Sequence, residues 1–72
     1  NLLMCPMPGK LLKIMVKEDD IVEEGQSLCV IEAMKMENTL VAQKKCRIKD
    51  IKFYEGDTLS VDQIIMEFIF DK

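Results

Sequence analysis

Laid over itself at an offset of 37 residues, the chain aligns without a gap, residues 9–32 falling on residues 46–69. Four positions are identical: Ile14 with Ile51, Glu18 with Glu55, Asp20 with Asp57, and Gln26 with Gln63. Apolar positions keep the same register, Leu11 with Ile48, Val16 with Phe53, Val22 with Leu59, Leu28 with Ile65, Cys29 with Met66 and Ile31 with Phe68. Such repetition constrains topology before any element is assigned, because two like units sharing one core are related by symmetry. Each half reads as a strand, an acidic turn (Glu18-Asp19-Asp20 or Glu55-Gly56-Asp57) and a second strand. No segment sustains the 3,4-spaced apolar stripe of an amphipathic helix over three turns, and Ile, Val and Thr fill 15 of 72 positions. The expectation is an all-β chain, two similar β units about a quasi-twofold axis.

Candidate strands are residues 10–16, 27–32, 36–42, 47–53 and 63–70, each bounded by Gly, Pro, Asp or Lys-rich turn chemistry. Pro6 and Pro8 limit the first of these strands to an edge or a bend. Between the repeats lies a hairpin-like stretch, residues 33–45, with Ala33-Met34-Lys35-Met36 at its apex. In a twofold arrangement this apex has its counterpart at the chain ends. Both are expected on or near the axis, at opposite ends of the molecule, with Lys35 the most projecting side chain opposite the termini.

Seventy-two residues support one core, so residues 1–72 are read as a single domain. The absence of His removes the usual general base and the Ser/His/Asp, Cys/His and Cys/His-zinc constellations, so no catalytic residue and no metal ligand is assigned. A net charge of −3 gives no electrostatic footprint for nucleic acid. Apolar runs such as 28–31 and 68–70 are far shorter than a membrane span, and no targeting signal opens the chain. Asn1 is not a start methionine, so the chain reads as a piece of something longer. Cys5, Cys29 and Cys46 form no Cys-x-x-Cys pair, which points to a reducing compartment; Cys29, inside the run LCVIE, reads as a buried structural thiol, and none of the three is assigned a role.

On physical grounds alone, a lysine in a β-turn is a solvated charge and two methionines beside it are edge packing. The heptapeptide Glu32-Ala33-Met34-Lys35-Met36-Glu37-Asn38, however, resembles the attachment motif of biotinyl carrier domains, whose lysine between two methionines receives biotin on its side-chain nitrogen. Cys5-Pro6-Met7-Pro8-Gly9 is similar to that family's Pro-Met-Pro-Gly opening, and Val22-x-x-Gly25-Gln26 to its turn. The resemblance covers essentially all 72 residues. It implies a flattened barrel-sandwich of two antiparallel sheets with quasi-twofold symmetry, and covalent biotin on Lys35. It also implies a recognition flank of Ala33, Met34 and Met36, with Glu32 and Glu37 contributing less. The two glutamates offer an ammonium group carboxylates rather than a base, so modification is expected to need a separate enzyme. By resemblance that enzyme is a biotin protein ligase using biotinyl-adenylate. A lipoyl-type carrier, whose lysine typically sits in an Asp-Lys-Ala context, and an unmodified barrel serving as an adaptor are the alternatives.

The family's carriers are non-catalytic by themselves, and biotin carboxylase and carboxyltransferase domains or subunits are the partners implied. Carriers of the bacterial acetyl-CoA carboxylase type have an extra protrusion in the first half, for which the gapless offset leaves no room. The ending Leu59 to Phe68 looks more like the C-terminal carrier domain on the biotin-containing subunit of propionyl-CoA carboxylase. That implies a piece of a larger subunit, in the bacterial cytoplasm or the mitochondrial matrix. Asp19 stands where a turn glycine is common, Gln43 where proline is, and Cys46 where glycine usually begins the second half. A left-handed backbone is expected to cost stability at Asp19, and more at Cys46. Finally, an acidic run (Glu18, Asp19, Asp20, Glu23, Glu24) and a basic run (Lys44, Lys45, Arg47, Lys49, Lys52) read as solvated faces, or as docking contacts with the enzyme domains.

Overall fold

The computed structural model describes residues 2–70, and every regular element in that span is a strand. In chain order they are β1 (Leu2–Met4), β2 (Gly9–Ile14), β3 (Ile21–Val22), β4 (Ser27–Ala33), β5 (Met36–Val41), β6 (Cys46–Ile51), β7 (Thr58–Leu59) and β8 (Ile64–Ile69). They form two four-stranded sheets, β1-β8-β6-β3 and β5-β4-β2-β7, in which all pairs are antiparallel. The two-sheet sandwich implied by the resemblance is the fold observed.

Symmetry extends to individual hydrogen bonds. Adding 37 carries β2 onto β6, β3 onto β7 and β4 onto β8, while Thr39 to Val41 of β5 fall back onto β1. The registers follow: Lys10 faces Glu32 as Arg47 faces Ile69, and Leu40 faces Cys29 as Leu3 faces Met66. Even the irregularity between Leu11 and Lys13 recurs between Ile48 and Asp50. Two of the four identical pairs are explained by turn closure. Asp20 Oδ2 accepts from the Lys17 N–H at 2.9 Å and Asp57 Oδ2 from the Tyr54 N–H at 2.8 Å. Gln26 Oε1 accepts from the Glu23 N–H at 3.0 Å and Gln63 Oε1 from the Ser60 N–H at 2.7 Å. A short polar side chain that takes up a turn's free N–H fixes the turn locally.

The same turns hold left-handed backbone in matched pairs, Asp19 (φ 73°) with Gly56 (95°) and Gly25 (82°) with Asp62 (66°). Each pair has one glycine, free of the Cβ penalty, and one aspartate, which tolerates the conformation at a cost. The strain expected at Asp19 is present. At Cys46 it is not: this residue is absent from the described positive-φ residues, and its side chain is only 4% exposed within the core. Its twin Gly9 does not need a positive φ either.

Buried side chains from both halves fill the space between the sheets, among them Leu11, Val22, Leu28 and Ile31 from the first half and Ile48, Leu59, Ile65 and Met66 from the second. Strand ends differ from the sequence reading. The first strand stops at Ile14 rather than residue 16, and its last N–H is taken by the Glu55 carboxylate at 2.9 Å instead of a neighbouring strand. The two-residue strands β3 and β7 were too short to leave a periodic pattern. The prolines do not place the strand that follows them at an edge: β2 lies between β4 and β7, and Pro6 and Pro8 fall instead in the bend before it, after the three-residue edge strand β1, which the sequence reading did not assign. The hairpin apex does not lie on the axis, contrary to expectation, because a rotation that exchanges i with i+37 moves residues 33–35 to the chain end, partly outside the described residues. The axis instead runs past an open cavity of about 450 Å³ lined by exchanged pairs, Ile14 with Ile51, Val16 with Phe53 and Lys17 with Tyr54.

All three cysteines are free and buried. Burial, and secondarily the neighbouring Cys5, raises the Cys29 pKa to about 11, and burial also raises that of Cys46. The folded chain therefore holds the Cys29 proton to higher pH than the unfolded chain, whose thiols ionise near 9. That contribution is complete below pH 9 and is lost as pH rises toward 11. In a thiol titration with an aromatic disulfide reagent, Cys29 is expected to react only after denaturation, and urea midpoints are expected to fall between pH 9 and 11 by less in Cys29→Ala. Asp20→Ala and Asp57→Ala are expected to cost about 1 kcal/mol each in urea unfolding, in near-equal amounts, since each removes the same turn-closing hydrogen bond.

Candidate functional site

β4 and β5 are joined by two residues only, Met34 and Lys35, with Ala33 facing Met36 across the ladder. Both linking residues have positive φ, 53° and 65°, the pairing that a type I′ turn demands. Such turns match the right-handed twist of a hairpin but favour Asn-Gly. Placing two long side chains there costs roughly 1–2 kcal/mol per residue. The ladder on either side holds the tip in place: six residue pairs from Ser27↔Val41 to Ala33↔Met36.

What the strained tip gains is projection. Met34 is 93% and Met36 66% exposed, Lys35 is exposed between them, and Ala33 is buried at the root. Among the described residues, Lys35 makes no ion pair within 4.0 Å and no side-chain hydrogen bond. Glu32 and Glu37 do not reach it. They face one another across β4 and β5, an unfavourable like-charge juxtaposition, while Lys10 stands on the other side of Glu32. An unpaired primary amine on a flexible stem, carried on a tight turn and flanked by polarisable apolar side chains, is suited to forming an amide with a carboxylic acid. The residues present therefore fit an acyl group attached through Lys35 Nζ.

Support for the tip comes from residues to which sequence reasoning gave no role. The Asn38 amide nitrogen reaches the Met36 carbonyl at 3.4 Å and the Met7 sulfur at 3.8 Å, tying β5 to the bend between β1 and β2. Cys5 Sγ donates to the Met7 carbonyl at 2.8 Å, holding that bend from inside. A Cβ on Gly9 would press on the Glu32 carbonyl oxygen and stand 2.9 Å from Ile31 Cγ2 and 3.2 Å from Ala33 Cβ. Gly9 is thus needed for space beside the hairpin root. Met7 and Asn38 are 31 residues apart, and nothing in their spacing announces the contact.

The two charge runs end up side by side because β3, after the acidic turn, pairs with β6 in the basic run. Lys45 lies 3.9 Å from Glu23, Lys52 lies 2.7 Å from Asp50 and 3.0 Å from Glu67, and Lys49 lies 4.0 Å from Glu67. The Lys52 contact lowers the Asp50 pKa, and Asp50 in turn raises that of Lys52. Lys44 sits 4.3 Å above the Phe70 ring. Exposed pairs of this kind add little stability.

Compared with known proteins, residues 1–68 match the biotin/lipoyl family, described as biotin-requiring enzyme. The chain is 52% identical over 68 residues to the propionyl-CoA carboxylase alpha chain of Ruegeria pomeroyi, a match covering 94% of this chain and 10% of that protein. With the mitochondrial propionyl-CoA carboxylase alpha chain of Sus scrofa it shares 42% identity over 67 residues, 93% of this chain and 9% of the relative. The chain thus spans about a tenth of the length of these relatives. Among solved structures, a single-chain, multi-domain long-chain acyl-CoA carboxylase superposes with a TM-score of 0.91 over 96% of this chain and 7% of its own, at 23% identity. That likeness speaks for the fold.

Because Gly9 has no room for a side chain, Gly9→Ala is expected to lower stability by about 1–3 kcal/mol. The strain falls on the hairpin root, so covalent labelling of Lys35 should slow in the same variant. An unchanged urea midpoint would show that the two strands separate without cost.

Proposed function

Since the chain belongs to the biotin/lipoyl family of biotin-requiring enzymes, we propose that it is a biotin carboxyl carrier domain whose attachment residue is Lys35. The observation that carries this reading is the free amine at the tip of the type I′ turn, between exposed Met34 and Met36. Biotin is the covalent cofactor. When bound, it supplies a ring nitrogen that takes up a carboxyl group and gives it away again.

The chain's own residues do the rest. Lys35 Nζ attacks the acyl carbon of biotinyl-adenylate, loses a proton and forms an amide as AMP leaves, a step assigned to a separate biotin protein ligase. The amide removes the positive charge and leaves a neutral tip whose exposed apolar flank is Met34 and Met36, with Ala33 buried at their root. Glu32 and Glu37 mark its polar border. The sandwich behind it is stiff, so the arm's motion and the carrier's placement are decoupled. Carboxylation and transfer belong to biotin carboxylase and carboxyltransferase domains, and this chain, which lacks histidine, is non-catalytic by itself. The identities to propionyl-CoA carboxylase alpha chains support propionyl-CoA as the final acceptor. Bacterial and mitochondrial relatives support the bacterial cytoplasm or the mitochondrial matrix as the location, and among the described residues no helix is long and apolar enough to cross a membrane.

Intact-mass analysis before and after incubation with a biotin protein ligase, ATP and biotin tests the assignment, with Lys35→Arg alongside. One biotinyl group is expected on the native sequence and none on the variant. Absence of a gain in a folded, initially unmodified sample, or modification by a lipoate ligase instead, would overturn it.

A further inference from the structure

The twofold axis gives this molecule an internal control. Every outward position on the β1-β8-β6-β3 sheet has a counterpart on the β5-β4-β2-β7 sheet in the same backbone environment. On the first sheet Leu2 (46% exposed), Ile64 (36%), Ile69 (42%) and Ile21 (55%) point to solvent. Their counterparts on the second are Thr39, Ser27, Glu32 and Thr58, all exposed and all polar. The fold therefore accepts polar residues at these sites, and the apolar ones serve something other than the core. Met4, 45% exposed, extends the same face beside Ile64, although its own counterpart, Val41, is also apolar and exposed.

Arg47 stands in this face between Ile69 on one side and Ile21 on the other. It is exposed, and among the described residues no carboxylate lies within 4.0 Å of it, whereas the nearby Lys49 and Lys52 are matched by Asp50 and Glu67. The face thus presents two apolar groups, Ile69 and Ile21 beside the unmatched Arg47, and Leu2, Met4 and Ile64 on the far side of Glu67, which stands across from Leu2 and is matched by Lys49 and Lys52. Area argues against a stable pair of copies. Four strands about 4.8 Å apart, six residues long at about 3.3 Å each, give at most roughly 400 Å² per partner. The total of about 800 Å² falls below the 1,200 Å² or so of a stable complex. Weak docking of this size becomes effective when carrier and partner are tethered in one large protein, where effective concentrations are high. The relatives, about ten times as long as this chain, are such proteins.

We propose that the outer face of the β1-β8-β6-β3 sheet, with Ile69 and Ile21 beside Arg47 and with Leu2, Met4 and Ile64 beyond Glu67, docks transiently on a fixed surface of the carboxylase that this carrier serves, an apolar surface with a carboxylate opposite Arg47. Lys35 is on the other sheet, so the attachment arm stays free while the body is held. The inference rests on the carrier reading, and its test separates the two.

In the complete carboxylase containing this chain, one variant carries the twofold counterparts, Leu2→Thr with Ile64→Ser, and a second carries Arg47→Glu. Biotin loading at Lys35 is measured first, by mass. Normal loading with overall carboxylation reduced about tenfold is expected for both variants. Backbone amides of β1 and β8 are expected to exchange more slowly in the wild-type enzyme than in the 72-residue chain, a difference that both variants abolish. Carboxylation within twofold of wild type at normal loading would overturn the docking face and leave the carrier reading intact, whereas failure of the wild type to load biotin would overturn the carrier reading. Should the double variant unfold, Arg47→Glu, a surface change outside the core, decides alone. Sedimentation showing that the 72-residue chain dimerises, and that Arg47→Glu prevents it, would assign the face to a second copy and overturn the occupant proposed.

Discussion

Leu11, Leu28 and Ile31 from one half, and Ile48, Ile65 and Met66 from the other, are withdrawn from water only because each half covers the other's apolar face. Alone, either half would be a short ribbon with one side wet, and isolated hairpins of this size are marginal in water. Mutual burial explains why the repeat is so strict. Turn-closing Asp20 and Asp57, Gln26 and Gln63, and the left-handed residues beside them recur at an offset of 37 because the facing sheets must present matching surfaces. A change in one turn would move two strands in different sheets.

On that frame the β4–β5 hairpin spends conformational energy locally and recovers projection. Two non-glycine residues at positive φ are an unfavourable choice for stability and a suitable one for display, since the turn leaves Met34 and Lys35 no surface to fold back on. The ladder behind the turn, the Asn38 contacts and the close approach of Gly9 make the strained geometry the only one available. A carrier needs that combination, because its arm must move while its root does not. The exposed methionines are adaptable enough to meet several partner surfaces in turn.

The symmetry ends at the surface. Inside, twin positions are occupied by side chains of like character. Outside, one sheet shows Thr39, Ser27, Glu32 and Thr58 where the other shows Leu2, Ile64, Ile69 and Ile21. Packing constrains the first set of choices and leaves the second free. The two proposals of function fall there, on the Lys35 hairpin of one sheet and on the apolar face of the other.

Much of this was legible in the chain itself. Period-two burial and the 37-residue offset encode which side chains face inward, and the Met-Lys-Met tip lies between the repeats, where a two-residue link joins β4 to β5. Cys46 shows where such reading stops: a glycine's place in sequence does not tell whether it was needed for its φ or for its lack of a side chain, and only the packing of Gly9 against Glu32 answers that. The short strands β3 and β7 were invisible because two residues carry no period. Sequence by itself determined the all-β class, the repeat, the buried thiol of Cys29 and the lysine at the tip, since each depends on the pattern along the chain. Tertiary structure alone decided that Met7 meets Asn38, that the basic run lies against the acidic turn, and that Arg47 stands unmatched among apolar neighbours, because those juxtapositions arise from pairing between strands far apart in the chain.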